Sequence, residues 1–214
     1  MSGYVDVHCH VAALPTKENG CRISKKMLSS PAARMVAALQ GLPIDRPEEA
    51  NEKYLAKLVA EVEGSKKLDK AVALAMDGVY DASGRLDEAH TEFLISNDYV
   101  ATACKASPKL LMGASVNPKR RDALDELDRV AGMGAALIKV LPNAMVFDPA
   151  EKSLAPVWKK MADLRLPLLS HIGFEFTLIG HDQSVGFPER LVPALDAGVK
   201  VIAAHGCTNG IFFS

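Results

Sequence analysis

The chain is poor in the features that mark secreted, membrane-embedded or nucleic-acid-binding proteins. Its four cysteines (Cys9, Cys21, Cys104 and Cys207) lie far apart, with no CxxC pair. Such spacing builds no disulfide framework and points to reduced thiols and a cytoplasmic location. No apolar run approaches the roughly 18 residues of a membrane span. The N-terminus shows no basic segment leading into an apolar core, so no export signal is expected. The net charge is −1, and no long basic run exists. That excludes nucleic acid or an anionic membrane as a partner held by bulk charge. Neither a GxGxxG nor a P-loop pattern is present.

What is present suffices for one sizeable core. The chain has 214 residues, 49% of them hydrophobic, so a single domain over 1–214 is expected. The stretch Asp6-Val7-His8-Cys9-His10 closes a first strand over 4–9. Strand alternation puts Asp6, His8 and His10 on one face and Val7 and Cys9 on the other. Residues 11–67 then form a long insertion. It begins as a polar, irregular stretch to about Ser30. A helix follows, opened by Ser30-Pro31 and stopped at Gly41. A second helix starts near Pro47, and its Leu55, Leu58, Val59 and Val62 make a half-buried stripe. Extra material of this kind suits a lid or a contact surface.

Beyond the insertion, short apolar runs alternate with helical patterns. Strands are expected at 70–76, 110–116, 135–141, 167–172 and 200–205. Helices are expected at about 87–106, at 121–131 with Leu124, Leu127 and Val130 near one face, at 152–164 with Trp158, and at 188–197. Continuous apolar strands between amphipathic helices imply a parallel sheet buried on both faces. An open doubly wound sheet and a (β/α) TIM barrel both fit that pattern. The polar residues favour the barrel: His8 and His10, Lys139, His171 and His205 gather at the C-terminal ends of different strands. A complete barrel has eight βα units, and six strands are legible. The chain is therefore expected to lack its last two units, as a truncated reading frame, a fragment or a shortened fold. The unpaired edge strands would then invite a homo-oligomer.

Two imidazoles one residue apart stand about 6.6 Å from each other along a strand, close enough for both to reach one ion. The competing reading is a pair of core histidines with ordinary hydrogen-bond partners. Asp6 is either an acceptor that fixes an imidazole tautomer or a cap on loop backbone. His171 is a third nitrogen donor, and three such donors with an open position suit catalytic zinc. His205 suits proton transfer, with a polar strand cap as the alternative. Lys139, inside an apolar strand, is costly to bury as a cation. Carboxylation, pairing with a substrate carboxylate or reaching the rim would each relieve that cost. His90 in its helix and His181 in a loop read as solvated, and Cys9 as packing.

Four pieces in order, Asp6-Val7-His8-Cys9-His10, 136–142 (ALIKVLP), 169–173 (LSHIG) and 203–207 (AHGC after Ala203), carry a family likeness. The sequence resembles the metal-dependent amidohydrolase superfamily. Within it, the chain is most similar to the branch of aminocarboxymuconate-semialdehyde decarboxylase and related TIM-barrel hydrolases. The resemblance implies that His8, His10 and His171 bind a divalent metal. It implies that His205 contacts a second metal or acts as acid or base. It also matches Lys139 to the position where some members carry a carboxylated lysine bridging two metals. The superfamily's usual aspartate on strand eight has no counterpart in the legible strands.

The leading expectation is a metal-dependent hydrolase that attacks an amide, ester or lactone carbon of a small molecule. A divalent ion, zinc by choice, would sit on His8, His10, His171 and Lys139, with His205 catalytic. A competing expectation uses the same site for non-oxidative decarboxylation of an unsaturated or aromatic acid. A third, of another class, is a catalytically inactive fragment.

Overall fold

The computed structural model describes residues 3–175, 178 and 182–207. His181, the Cys207 side chain and the stretch from 208 onward lie outside the described residues. Six parallel strands form one sheet in chain order: β1 (Tyr4–His10), β2 (Leu68–Leu74), β3 (Leu110–Ser115), β4 (Leu137–Val140), β5 (Leu168–Ser170) and β6 (Val201–Ala203). The apolar runs seen in the sequence thus become neighbours by sequential βα steps, as parallel pairing requires.

Strand alternation sorts the side chains into two layers. Val72, Leu74, Leu137 and Leu169 form an inner cluster. Ala71, Ala73, Ile138, Val140 and Leu168 belong to a larger outer core. The outer core is covered by helices that include Ala123–Gly132 and Ala155–Asp163, through Leu127, Val130, Trp158 and Met161. Val7 of β1 and Ile202 of β6 pack on the same inner cluster. In a flat sheet of six strands the two edges would stand roughly 24 Å apart at about 4.8 Å per strand. Sharing one small cluster requires the sheet to curl, and the result is an arc of a TIM barrel.

Between β1 and β2 the chain carries three helices, and its first part is more ordered than the irregular stretch expected there. The stretch read as irregular holds a two-residue strand, Arg22–Ile23, paired with Phe93–Leu94, and a short helix, Lys25–Ser29, capped by Ser24. The next helix spans Pro31–Leu39, with the Ser30 hydroxyl accepting from Ala33 N–H, and the long one spans Pro47–Gly64. Proline at the first position and Glu48 and Glu49 in the first turn favour that start. Among the described residues no helix is long and apolar enough to cross a membrane.

Three expectations need correction. The helix placed at 87–106 begins only at Asn97 and runs as Asn97–Ala103 with a 3₁₀ turn to Ala106. Asp87 diverts the chain earlier: its carboxylate accepts from the backbone N–H of Ala89 and His90, and the Thr91 hydroxyl donates to its carbonyl. Such side-chain bonds compete with a helix, and Ser96 becomes the cap, accepting from Tyr99 N–H. Leu124 faces solvent at 42% exposure while Leu127 and Val130 are fully buried. Strand six stops at Ala203, and His205 follows in a tight turn rather than in the strand.

Candidate metal centre

The first two histidines owe their positions to an irregularity in β1. Asp6 pairs with Ala71 and Cys9 with Ala73, so three steps on β1 match two on β2. A β-bulge of this kind inserts one extra residue and breaks the alternation. Cys9 packs on the outer core, as Ala73 does, whereas Val7 packs on the inner cluster. The expectation that Val7 and Cys9 share a face, opposite Asp6, is therefore wrong. His10 pairs with the inward Leu74. The Asp6 carboxylate accepts from His8 N–H at 2.8 Å, which makes it a cap across the bulge. Tyr54, from the long helix of the insertion, donates its hydroxyl to the His10 carbonyl at 3.1 Å.

The four strand-end histidines meet at the C-terminal mouth of the arc. Ring centroids of His8 and His10 are 4.8 Å apart, those of His8 and His205 5.3 Å, and those of His171 and His205 4.7 Å. Lys139, inward on β4 and 2% exposed, holds its Nζ 3.5 Å from His8 Nε2. His171 follows β5. Its Nε2 lies 3.3 Å from the Phe174 carbonyl and its Nδ1 3.1 Å from His205 Nε2. A carbonyl only accepts, so His171 carries its proton on Nε2 and turns the Nδ1 lone pair to the cluster. His205 sits in a left-handed backbone conformation (φ 58°).

The mouth opens into a cavity of about 840 Å³. Its apolar wall includes Met27 of the insertion, Met76, Phe93, Leu141 and Phe174. The polar groups are the four histidines, Lys139 and Glu175. Glu175 escaped the sequence reading. Its position four residues after His171, in a loop on the active face, was the available signal. His90 is exposed, in a turn rather than a helix, and pairs with Asp87 at 2.7 Å.

Burial, with Lys139 as the next cause, pushes the His8 imidazole down to about 3. The same two causes lower His10 and His205. Burial lowers His171 to about 4 against the opposing pull of Glu175. All four rings are neutral at pH 7, the state a metal ligand needs. Burial also brings the Lys139 amine down to about 8, again opposed by Glu175.

The donor types suit a divalent ion, and some of their pairwise spacings resemble those of ligands that share one. With Zn–N bonds of about 2.0–2.1 Å, two imidazoles on one tetrahedral ion place their centroids roughly 5 Å apart and their donor atoms roughly 3.3 Å apart. The ring separations of 4.7–5.3 Å and the 3.1 Å between His171 Nδ1 and His205 Nε2 lie close to those figures. The relations are pairwise: among the described residues no three His, Cys, Asp or Glu donors are set to hold an ion as they stand.

The family model for amidohydrolases matches residues 5–206. No curated protein matches the chain at a significant level. Solved structures with the same fold include a Pseudomonas putida protein assigned as a 2-pyrone-4,6-dicarboxylic acid hydrolase (12% identity, TM-score 0.52). They also include Metarhizium anisopliae IDCase (15%, 0.54) and a Rhizobium 2,6-dihydroxybenzoate decarboxylase (14%, 0.55). The alignments cover 95%, 96% and 97% of this chain. They span 57%, 65% and 67% of those three chains, respectively.

Proposed function

The chain belongs to the amidohydrolase family, and on that premise we propose that it is a metal-dependent hydrolase of a small molecule. His8, His10 and His171 hold the ion in this reading, and zinc is the choice that nitrogen donors favour. A divalent ion bound there supplies Lewis acidity to a carbonyl oxygen and makes water more acidic. The observation that supports the reading is the run of neighbouring rings His10, His8, His205 and His171, each 4.7–5.3 Å from the next. Structural neutrality of the rings adds support, since burial keeps His8 and His171 unprotonated at pH 7.

The remaining side chains divide the work. His205 stands at the rim and its ring is neutral, so it accepts a proton from the attacking water and returns it to the leaving group. Lys139 has two possible states. As a carbamate it is a further oxygen donor; as a cation it seats a carboxylate of the substrate. The intact mass of the protein separates them, because a carbamate adds one CO₂. The apolar wall of Met76, Phe93 and Phe174 takes the body of the substrate and excludes water from it.

A second reading, non-oxidative decarboxylation, is favoured by one observation. Lys139 is a buried amine facing a largely apolar cavity, a setting that would receive a carboxylate. Zinc-loaded and chelator-stripped protein should be assayed against N-acyl amino acids, lactones and aryl carboxylic acids. Metal-dependent acid release that His171→Ala abolishes supports the hydrolase. Metal-dependent CO₂ release supports the decarboxylase. Turnover that survives both chelation and His171→Ala contradicts the two readings together.

A further inference from the structure

Among the described residues that line the cavity, Glu175 is the one carboxylate. Its Oε2 lies 3.9 Å from His171 Nδ1, the nitrogen that lies 3.1 Å from His205 Nε2. These two separations bracket the roughly 3.3 Å between donor atoms sharing a tetrahedral ion. The charges make the same demand. Among the described residues, a divalent ion set among neutral imidazoles and beside Lys139 has no other anion in the cavity wall. Buried charge requires pairing.

The backbone that carries Glu175 is fixed to the barrel. The Gln183 amide clasps it on both sides: Oε1 accepts from Glu175 N–H at 2.9 Å, and Nε2 donates to the Glu175 carbonyl at 3.0 Å. Asn143, buried just past β4, donates its Nδ2 to the Gln183 carbonyl at 3.2 Å and to Oε1 at 3.0 Å. Gly186 closes the clasp, because a Cβ there would stand 2.5 Å from the Gly173 carbonyl oxygen. A loop that only needed to cover the cavity would not require this chain of contacts from the scaffold to one acidic residue.

Resting on the metal-centre reading above, we propose that Glu175 is the anionic donor to the ion and that Gln183 is its positioning residue. The role is additional to the histidines and comes from the loop after β5. Glu175→Gln keeps the shape and removes the charge. Gln183→Ala keeps the carboxylate and releases its support.

The test uses the 214-residue chain. Zinc affinity is read by competition with a chromophoric chelator, and the Co²⁺-substituted protein is read by its visible absorption. The parent chain should bind one ion, and His171→Ala should lose it. Glu175→Gln should weaken zinc binding by more than about 100-fold and change the Co²⁺ spectrum, whereas Gln183→Ala should weaken it by about 10–100-fold, the range of supporting contacts. Glu175→Asp should recover part of the loss. A parent chain that binds no zinc, or a His171→Ala variant that binds like the parent, removes the centre and the proposal together. Loss in His171→Ala with parental affinity and spectrum in Glu175→Gln overturns the proposal alone. Should Glu175→Gln fail to fold without metal, as judged by circular dichroism, Gln183→Ala decides: parental affinity and spectrum there also overturn the proposal.

Discussion

The ring of His8 lies 5.3 Å from that of His205, although His8 lies on one edge strand of a six-stranded sheet and His205 in the turn that follows the other. Strand spacing alone would set those edges roughly 24 Å apart in a flat sheet. Curling of the sheet is therefore what creates the site. No single strand carries it, and no local motif does. The chemistry proposed for the centre depends on the arc staying curled, which ties core packing to function.

The bulge in β1 gives a direct test of how His8 is held. Asp6→Ala removes the acceptor for His8 N–H. The lost hydrogen bond costs about 0.5–1.5 kcal/mol of stability. Zinc affinity should fall by about 10–100-fold, as for other supporting contacts around a metal. Asp6→Asn retains an acceptor and should stay close to the parent in both. Equal affinities in all three proteins would show that the cap does not orient His8.

The helix Ala123–Gly132 distinguishes buried from exposed leucine within one turn. Leu127 is fully buried and Leu124 is 42% exposed. Leu127→Ala should cost about 2–5 kcal/mol in urea unfolding. Leu124→Ala should stay within about 0.5 kcal/mol. Similar losses at the two positions would mean that Leu124 is covered in solution.

Stability of the metal-free chain should depend on pH through its histidines. The folded rings of His8 and His171 titrate near 3 and 4, below the ordinary 6.5. Between pH 6.5 and about 4 the unfolded chain binds protons that the folded one refuses, so stability falls as pH falls. Above that window both states hold neutral rings, and these groups contribute no slope. The urea midpoint should drop from pH 7 to pH 5, and less steeply in His8→Gln. An unchanged midpoint across that range would contradict the burial of the rings.

Much of this molecule was legible beforehand, for definite reasons. The strands expected at 70–76 and 135–141 are short apolar runs between helical patterns, and they formed as Leu68–Leu74 and Leu137–Val140. His8 lies on β1 as that reading has it, whereas His171 and His205 come one and two residues past the ends of their strands. What escaped depended on contacts that no local pattern encodes. Strict alternation assumes a regular ladder, and the extra residue between Asp6 and Cys9 breaks it. Helical periodicity at 87–96 lost to the Asp87 carboxylate and its turn. The left-handed turn at His205 has no glycine to announce it at that position. Glu175 reaches the centre because Gln183, eight residues later, holds its backbone.

X-ray absorption at the zinc edge of the loaded, desalted chain tests the central claim most directly. The account predicts retained zinc with nitrogen or oxygen neighbours at about 2.0–2.1 Å and the outer-shell scattering of at least two imidazoles. His171→Ala should weaken that outer-shell signal. Zinc lost on desalting, or retained with no imidazole scattering, would contradict the account.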